Sequence, residues 1–279
     1  MNFLNGLIKI LNKPFPEQES SFGEIRIVII VSLFVTFFLY VFEPFGLATL
    51  ESNKFFICLG FGLMTFIAAI IFEFVVGRLL HLKGELGKWT LGKWVLYNIG
   101  VMLTISLANF LFARILFFGF IEWELLPAMM YGTFMIGIIP ISVIGGLSLL
   151  IQEKKYQGIA ADMNQHQVVH ADNRMEDERL LFDIPLNRIK YVEALQNYVF
   201  IGHVDNEGQF KKITERATIK NILEEVKGSS IIKSHRSFLV NRDAILSISG
   251  NAQGLLLQLS DGDKTIPVSR SYIAAFRGK

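Results

Sequence analysis

Four long apolar runs fill the first half of this chain, at Ile25–Phe42, Phe55–Gly77, Trp94–Phe120 and Leu125–Ile151, and each suits the thickness of a bilayer. A helix advances about 1.5 Å per residue, so roughly 20 apolar residues cross the hydrocarbon. Lipid offers the backbone no hydrogen-bond partner, which makes a helix the form such a run takes. Buried helices of a soluble protein usually keep a polar face, whereas these runs are apolar all round. The first half therefore reads as an all-α four-helix transmembrane bundle at residues 25–151, preceded by an N-terminal segment, 1–24. Lys9, Lys13, Glu17 and Glu19 around Pro14 and Pro16 are unlike a cleavable secretory leader, so the first run is expected to stay.

Positive flanks are retained on the cytoplasmic side of a membrane, and this sets the orientation. The connection between the second and third runs carries Arg78, Lys83, Lys88 and Lys93, and Lys154 and Lys155 follow the fourth. The other two connections hold Glu43, Glu51, Glu122 and Glu124, with Lys54 as their one basic residue. Both termini are thus expected in the cytoplasm, with the chain in the cytoplasmic membrane. Cys58 is the single cysteine and lies in the second run, which excludes a disulfide framework and a cysteine metal site.

Ionisable groups in hydrocarbon are costly and draw attention. Glu73 falls at about the depth of Asn98, and two arrangements are open: these two meet, or Glu73 reaches interfacial water or Arg78. Arg114 is expected near the outer face, where its stem can snorkel.

Residues 152–179 change character, with a net charge of −2 and few large apolar side chains, and read as a helical extension fading into a linker without a core. His166 and His170 share one helical face there, but no carboxylate or thiol stands at firm metal-ligand spacing, so a solvated face is expected and no metal or other cofactor.

From Leu180 the period switches to two. Leu180–Ile184, Arg188–Ala194, Tyr198–Val204 and Gln209–Thr214 read as strands, the last two joined through Asp205-Asn206-Glu207-Gly208. A short helix follows, capped by Thr214 or Glu215, with Ile219, Ile222, Leu223 and Val226 on its buried stripe and Gly228 at its end. Strands resume at Ile231–Lys233, Phe238–Val240, Ala244–Ser249, Leu255–Ser260 and Lys264–Val268. This is one mainly-β domain, 180–279, carrying 14 Lys and Arg against 10 Asp and Glu.

Within it, Arg188-Ile189-Lys190-Tyr191-Val192-Glu193-Ala194, Asn197-Tyr198-Val199, Ser234-His235-Arg236-Ser237-Phe238-Leu239-Val240-Asn241 and Pro267-Val268-Ser269-Arg270 form an ordered series. That series resembles the LytTR DNA-binding domain of bacterial regulators. The resemblance implies small antiparallel sheets with a short helix, and loops rather than a recognition helix entering successive major grooves. It implies base contacts from Asn197 or its neighbours Gln196 and Tyr198, from Arg236 and from Arg270. Guanidinium groups suit guanine O6 and N7, and an Asn amide suits adenine. Lys211, Lys212, Lys233, Arg242 and Ser269 are candidate phosphate contacts, fixing register without reading sequence. His235, Asn241 and Ser237 can instead hold the turn through side-chain to backbone bonds.

Catalysis finds no support: the chain has no Gly-rich phosphate loop and no HExxH, and neighbours in Ser234-His235-Arg236-Ser237 point to opposite faces of a strand. The resulting expectation is a non-enzymatic, membrane-held transcriptional regulator. Its partners are double-stranded promoter DNA, as paired direct repeats, the lipid bilayer, a second copy of the chain and a possible membrane protein. An alternative keeps the membrane bundle and makes the β-domain a protein-docking module.

Overall fold

A computed structural model describes residues 2–16, 21–49, 53–79, 89–117, 120–170, 179–260 and 264–277. The side chains of Arg78, His166 and His170, together with Lys83, Lys88 and the turn at 261–263, lie outside the described residues. The chain divides into two units, Met1–Leu149 and Leu150–Lys279.

The first unit is helical: α1 (Asn2–Leu11), α2 (Ser21–Phe42), α3 (Lys54–Phe72), α4 (Leu91–Phe117) and the start of α5 (Leu126–His170). Gly23–Phe42, Lys54–Gly77, Leu91–Leu116 and Trp123–Gln165 are long and apolar enough to cross a membrane. Each helix keeps large apolar side chains on its outside, Phe37, Phe56, Leu96 and Ile138 among them. Water would penalise such an exterior and lipid would not. Inside, polar residues bond their own helix one turn back: Ser32 to Val28, Thr36 to Ser32, Thr65 to Phe61 and Ser106 to Met102. Gly62 permits α2 and α3 to approach closely, since a Cβ there would overlap the Thr36 hydroxyl. On the side read as external, Lys54 pairs with Glu43 at 2.7 Å and the buried Arg114 with Glu122 at 3.3 Å.

Glu73 opens a π-helical stretch (Glu73–Leu79) that continues α3, and the Tyr97 hydroxyl donates to its carboxylate. Of the two arrangements left open, the meeting with Asn98 is not the one formed: the partner is Tyr97, one residue earlier. Asn98 turns its amide back to the Trp94 carbonyl, at 2.8 Å. The carboxylate occupies the space that Gly77 leaves empty.

The described part of the N-terminal segment, residues 2–16, contains α1 and a stretch packed beyond it. In α1 the apolar Leu4, Leu7, Ile8 and Ile10 are exposed. The chain beyond is fastened to α4: Phe15 is buried, stacks on Trp94 with ring centroids 4.5 Å apart, and donates its N–H to the Trp89 carbonyl.

The second unit contains a two-stranded sheet of β1 (Leu180–Leu181) and β2 (Ile184–Pro185), and a five-stranded sheet in the order β5-β4-β3-β7-β6. The latter comprises β3 (Ile189–Leu195), β4 (Tyr198–Val204), β5 (Phe210–Glu215), β6 (Ile231–His235) and β7 (Phe238–Asn241). A third sheet, in the order β10-β9-β8, comprises β8 (Ile245–Asn251), β9 (Gly254–Leu259) and β10 (Thr265–Val268). All pairings are antiparallel. The fold is thus a helical N-terminal region followed by a mainly-β domain of small antiparallel sheets. Helix α6 (Ile219–Glu225) starts later than its sequence suggested, with Thr218 as its cap. Thr214 and Glu215 are instead committed to β5, paired with Phe200 and Val199. Its Ile219, Ile222 and Val226 join Ile189, Val192, Val199, Ile201 and Leu239 in one core.

The helical extension expected from residue 152 is present, but the expectation that it holds no core is corrected. Helix α5 continues to His170, and Tyr156, Ala160 and Met163 are buried in a core with Tyr191, Val240, Ile248, Leu255, Leu257 and Val268. Residues 156, 159, 160 and 163 fall at i, i+3, i+4 and i+7, so one face of the helix covers the three-stranded sheet. Gly250 makes the approach possible, because a Cβ there would overlap the Tyr156 carbonyl.

Candidate nucleic-acid interface

Antiparallel pairing decides where the loops of the β-unit lie. Strands β3 and β4 end and begin in register, Leu195 against Tyr198, so Gln196 and Asn197 form the tip of a tight hairpin. Gln196 takes the left-handed conformation, φ 53°, which a reversal this short demands. On the other side of β3, the Ala194 N–H donates to the Ser237 carbonyl at 2.8 Å and Glu193 pairs with Phe238. The β6–β7 turn with Arg236 therefore lies at the same end of the sheet as Asn197. Next, the Ser269 N–H donates to the Ser234 carbonyl at 2.8 Å, bringing the residue before Arg270 beside β6. Three segments distant in sequence thus present Gln196, Asn197 and Tyr198, Arg236, and Ser269 with Arg270 at one end of the sheet. Gln196, Asn197, Tyr198 and Arg236 are exposed, and Ser269 and Arg270 half-buried.

Side chains around Arg236 hold its turn. The imidazole Nδ1 of His235 accepts from the Ser237 N–H at 3.2 Å, and the ring is buried. Burial, and then the positive charges of Arg236 and Lys233, push the His235 pKa below its ordinary value. The ring accordingly favours the neutral state that can accept this bond. At the far end of β7, buried Asn241 donates to the Ile189 carbonyl at 2.9 Å and accepts from the Asp243 N–H at 3.0 Å. Both residues act on the backbone.

The candidate phosphate contacts separate into two groups. Lys233, with its ammonium 5.6 Å from the Tyr272 ring centroid, and Ser269 lie near the Arg236 end. Lys211 and Lys212 pair with His203 and Gly202 toward the opposite end of β4, and Lys211 is tied to Asp205 at 2.6 Å. That ammonium, followed by the Gln209 N–H, pulls the Asp205 carboxyl down to about 2. Arg242 is also distant, since β7 runs from Phe238 beside Arg236 to Asn241, roughly 10 Å at 3.3 Å per residue. Its guanidinium donates to the Ala275 carbonyl on α7 (Ile273–Phe276). One further basic residue, not singled out from the sequence, lies at the Asn197 end: Arg216 is exposed and directly follows Glu215, which pairs with Val199. The extent of β5 was the signal, and it was hidden by ending that strand at Thr214.

Residues 179–279 match the family model described as the LytTr DNA-binding domain. A solved LytTr DNA-binding domain from Bacillus cereus is 26% identical over 34% of this chain and 82% of that one, with a TM-score of 0.30. No curated protein matches the chain. The C-terminal part of this chain, residues 179–279, belongs to the LytTr DNA-binding domain family.

Proposed function

We propose that this protein is a membrane-bound transcriptional regulator whose cytoplasmic LytTr domain reads promoter DNA at the end of the sheet that carries Asn197, Arg236 and Arg270. The observation that carries the reading is that the backbone of three turns from different parts of the sequence, which carry two arginines and an asparagine, lies at one end of the sheet. Arg236 and Arg270 donate to guanine edges, Asn197 with Gln196 and Tyr198 contacts bases beside them, and Lys233, Ser269 and Arg216 engage phosphate. Lys211 (paired with Asp205), Lys212 and Arg242 (bonded to the Ala275 carbonyl) serve the fold. The apolar helices of the first unit anchor the domain to the cytoplasmic membrane, and their conformational state is the input. Two copies act together on paired direct repeats.

The test is a selection from a randomised duplex pool with the full chain in lipid nanodiscs, followed by anisotropy titration of the enriched duplex and its scrambled copy. Enrichment of a defined sequence, bound more tightly than its scrambled copy and weakening steeply between about 50 and 200 mM salt, is the expected result. A pool that yields no sequence, with binding indifferent to salt, would contradict it and favour a protein-docking module.

A further inference from the structure

The guanidinium carbon of Arg270 lies 5.7 Å from the centroid of the Tyr156 ring. Tyr156 belongs to α5, the helix whose earlier residues close the helical bundle, and it is only 1% exposed. Its position is fixed from several sides. The backbone at Tyr156 and Gln157 lies against Gly250. One turn further along, Ala160 and then Met163 enter the same core. Beyond them, the Asn164 amide donates to the Ile248 carbonyl and accepts from the Ile248 N–H, both at 2.8 Å. The ring is consequently a rigid surface, and the arginine beside it comes from one of the three DNA-facing segments.

We propose that Tyr156 is a positioning residue for sequence recognition: its ring holds the Arg270 guanidinium in the orientation that reads a base. The inference rests on the reading of Arg270 given above. An arginine free to explore its rotamers must be ordered when it meets a guanine edge, whereas one held against an aromatic face has less freedom to lose. The face of a ring attracts a cation through its π electrons, so the hydroxyl is dispensable and the ring is not. The recognition unit thereby begins within α5, before the residues that match the family model, and a displacement of that helix changes the setting of Arg270. This provides a route by which the bundle's last helix can alter DNA preference without touching DNA.

The test is a double-mutant cycle in the full chain, in nanodiscs, read as the ratio of affinities for the selected duplex and its scrambled copy. Y156F should keep the wild-type ratio. Y156L, which retains apolar bulk and removes the ring, should lower the ratio roughly three- to tenfold. Its affinity for the scrambled duplex should stay unchanged. Combined with R270A, Y156L should add nothing further, because the interaction is already gone. A ratio unchanged in Y156L, or additive losses in the double variant, overturns the proposal. So does equal weakening on both duplexes with a lowered melting temperature, which marks a role in folding alone. If R270A itself keeps the wild-type ratio, the reading of Arg270 fails first and this inference falls with it.

Discussion

Asn164 and Ile248 exchange two hydrogen bonds across 84 residues, the side-chain amide of one satisfying both backbone groups of the other at 2.8 Å. Strand β8 is an edge of its sheet, and Ile248 is buried, so without this amide its N–H and C=O would face an apolar core. N164A should therefore destabilise the second unit by about 1–3 kcal/mol, the usual cost of an unsatisfied buried backbone group. Chemical denaturation followed through a near-ultraviolet signal from that unit checks the value.

Gly250 provides an independent probe of the same packing. An added Cβ would sit 2.3 Å from the carbonyl carbon and oxygen of Tyr156, where backbone rather than a flexible side-chain end must give way. G250A should cost about 1–3 kcal/mol through overpacking, and should also weaken the preference for the selected duplex as Tyr156 shifts. Measuring both quantities on one preparation ties helix position to recognition.

How far the sequence reveals this molecule depends on the kind of signal. Apolar runs of membrane length are independent of tertiary context, and the four long helices lie where hydropathy puts them. Strand alternation from Leu180 was equally clear. By contrast, Tyr156, Ile159, Ala160 and Met163 are four positions in an otherwise polar stretch, so composition hides a spacing that packing makes decisive. The cap of α6 failed for a related reason: Thr214 and Thr218 are both capable, and only the ladder to β4 chooses between them. At the proposed interface, the candidate reading and phosphate residues stand out in the sequence. Their division between two ends of the sheet, with Lys211, Lys212 and Arg242 away from Arg236, needed strand order.

Protonation of His235 should loosen the turn that carries Arg236. Its folded-state pKa lies below the ordinary value near 6.5, because of burial and the neighbouring cations. The unfolded chain therefore takes up the proton first as pH falls. The stability contributed by the neutral ring is fully present above about pH 6.5 and is lost on acidification through the folded pKa. Melting temperature should decline between about pH 7 and 5 more steeply in the wild type than in H235N, where this titration is absent.

Salt dependence separates the two groups of basic residues. R216A should reduce affinity for selected and scrambled duplexes alike, and lower the slope of log K against log salt by about 0.9, one phosphate contact. The K211A, K212A double variant should leave that slope unchanged, since both lysines lie toward the other end of the sheet and Lys211 is occupied by Asp205.

The proposed orientation is open to cysteine labelling, because the native Cys58 is fully buried and gives little background. A membrane-impermeant maleimide applied to intact cells should label E122C, whereas K9C should react only after permeabilisation. The reverse pattern would invert the topology and place the LytTr domain away from DNA.

The most direct measurement of the central claim is the preference of the R236A, R270A double variant for the selected duplex over its scrambled copy. Each bidentate guanidinium contact is worth about 1–3 kcal/mol of discrimination. The account predicts that this preference largely disappears, with scrambled-duplex binding reduced far less. A double variant that binds both duplexes as the wild type does would show that these two arginines do not read DNA.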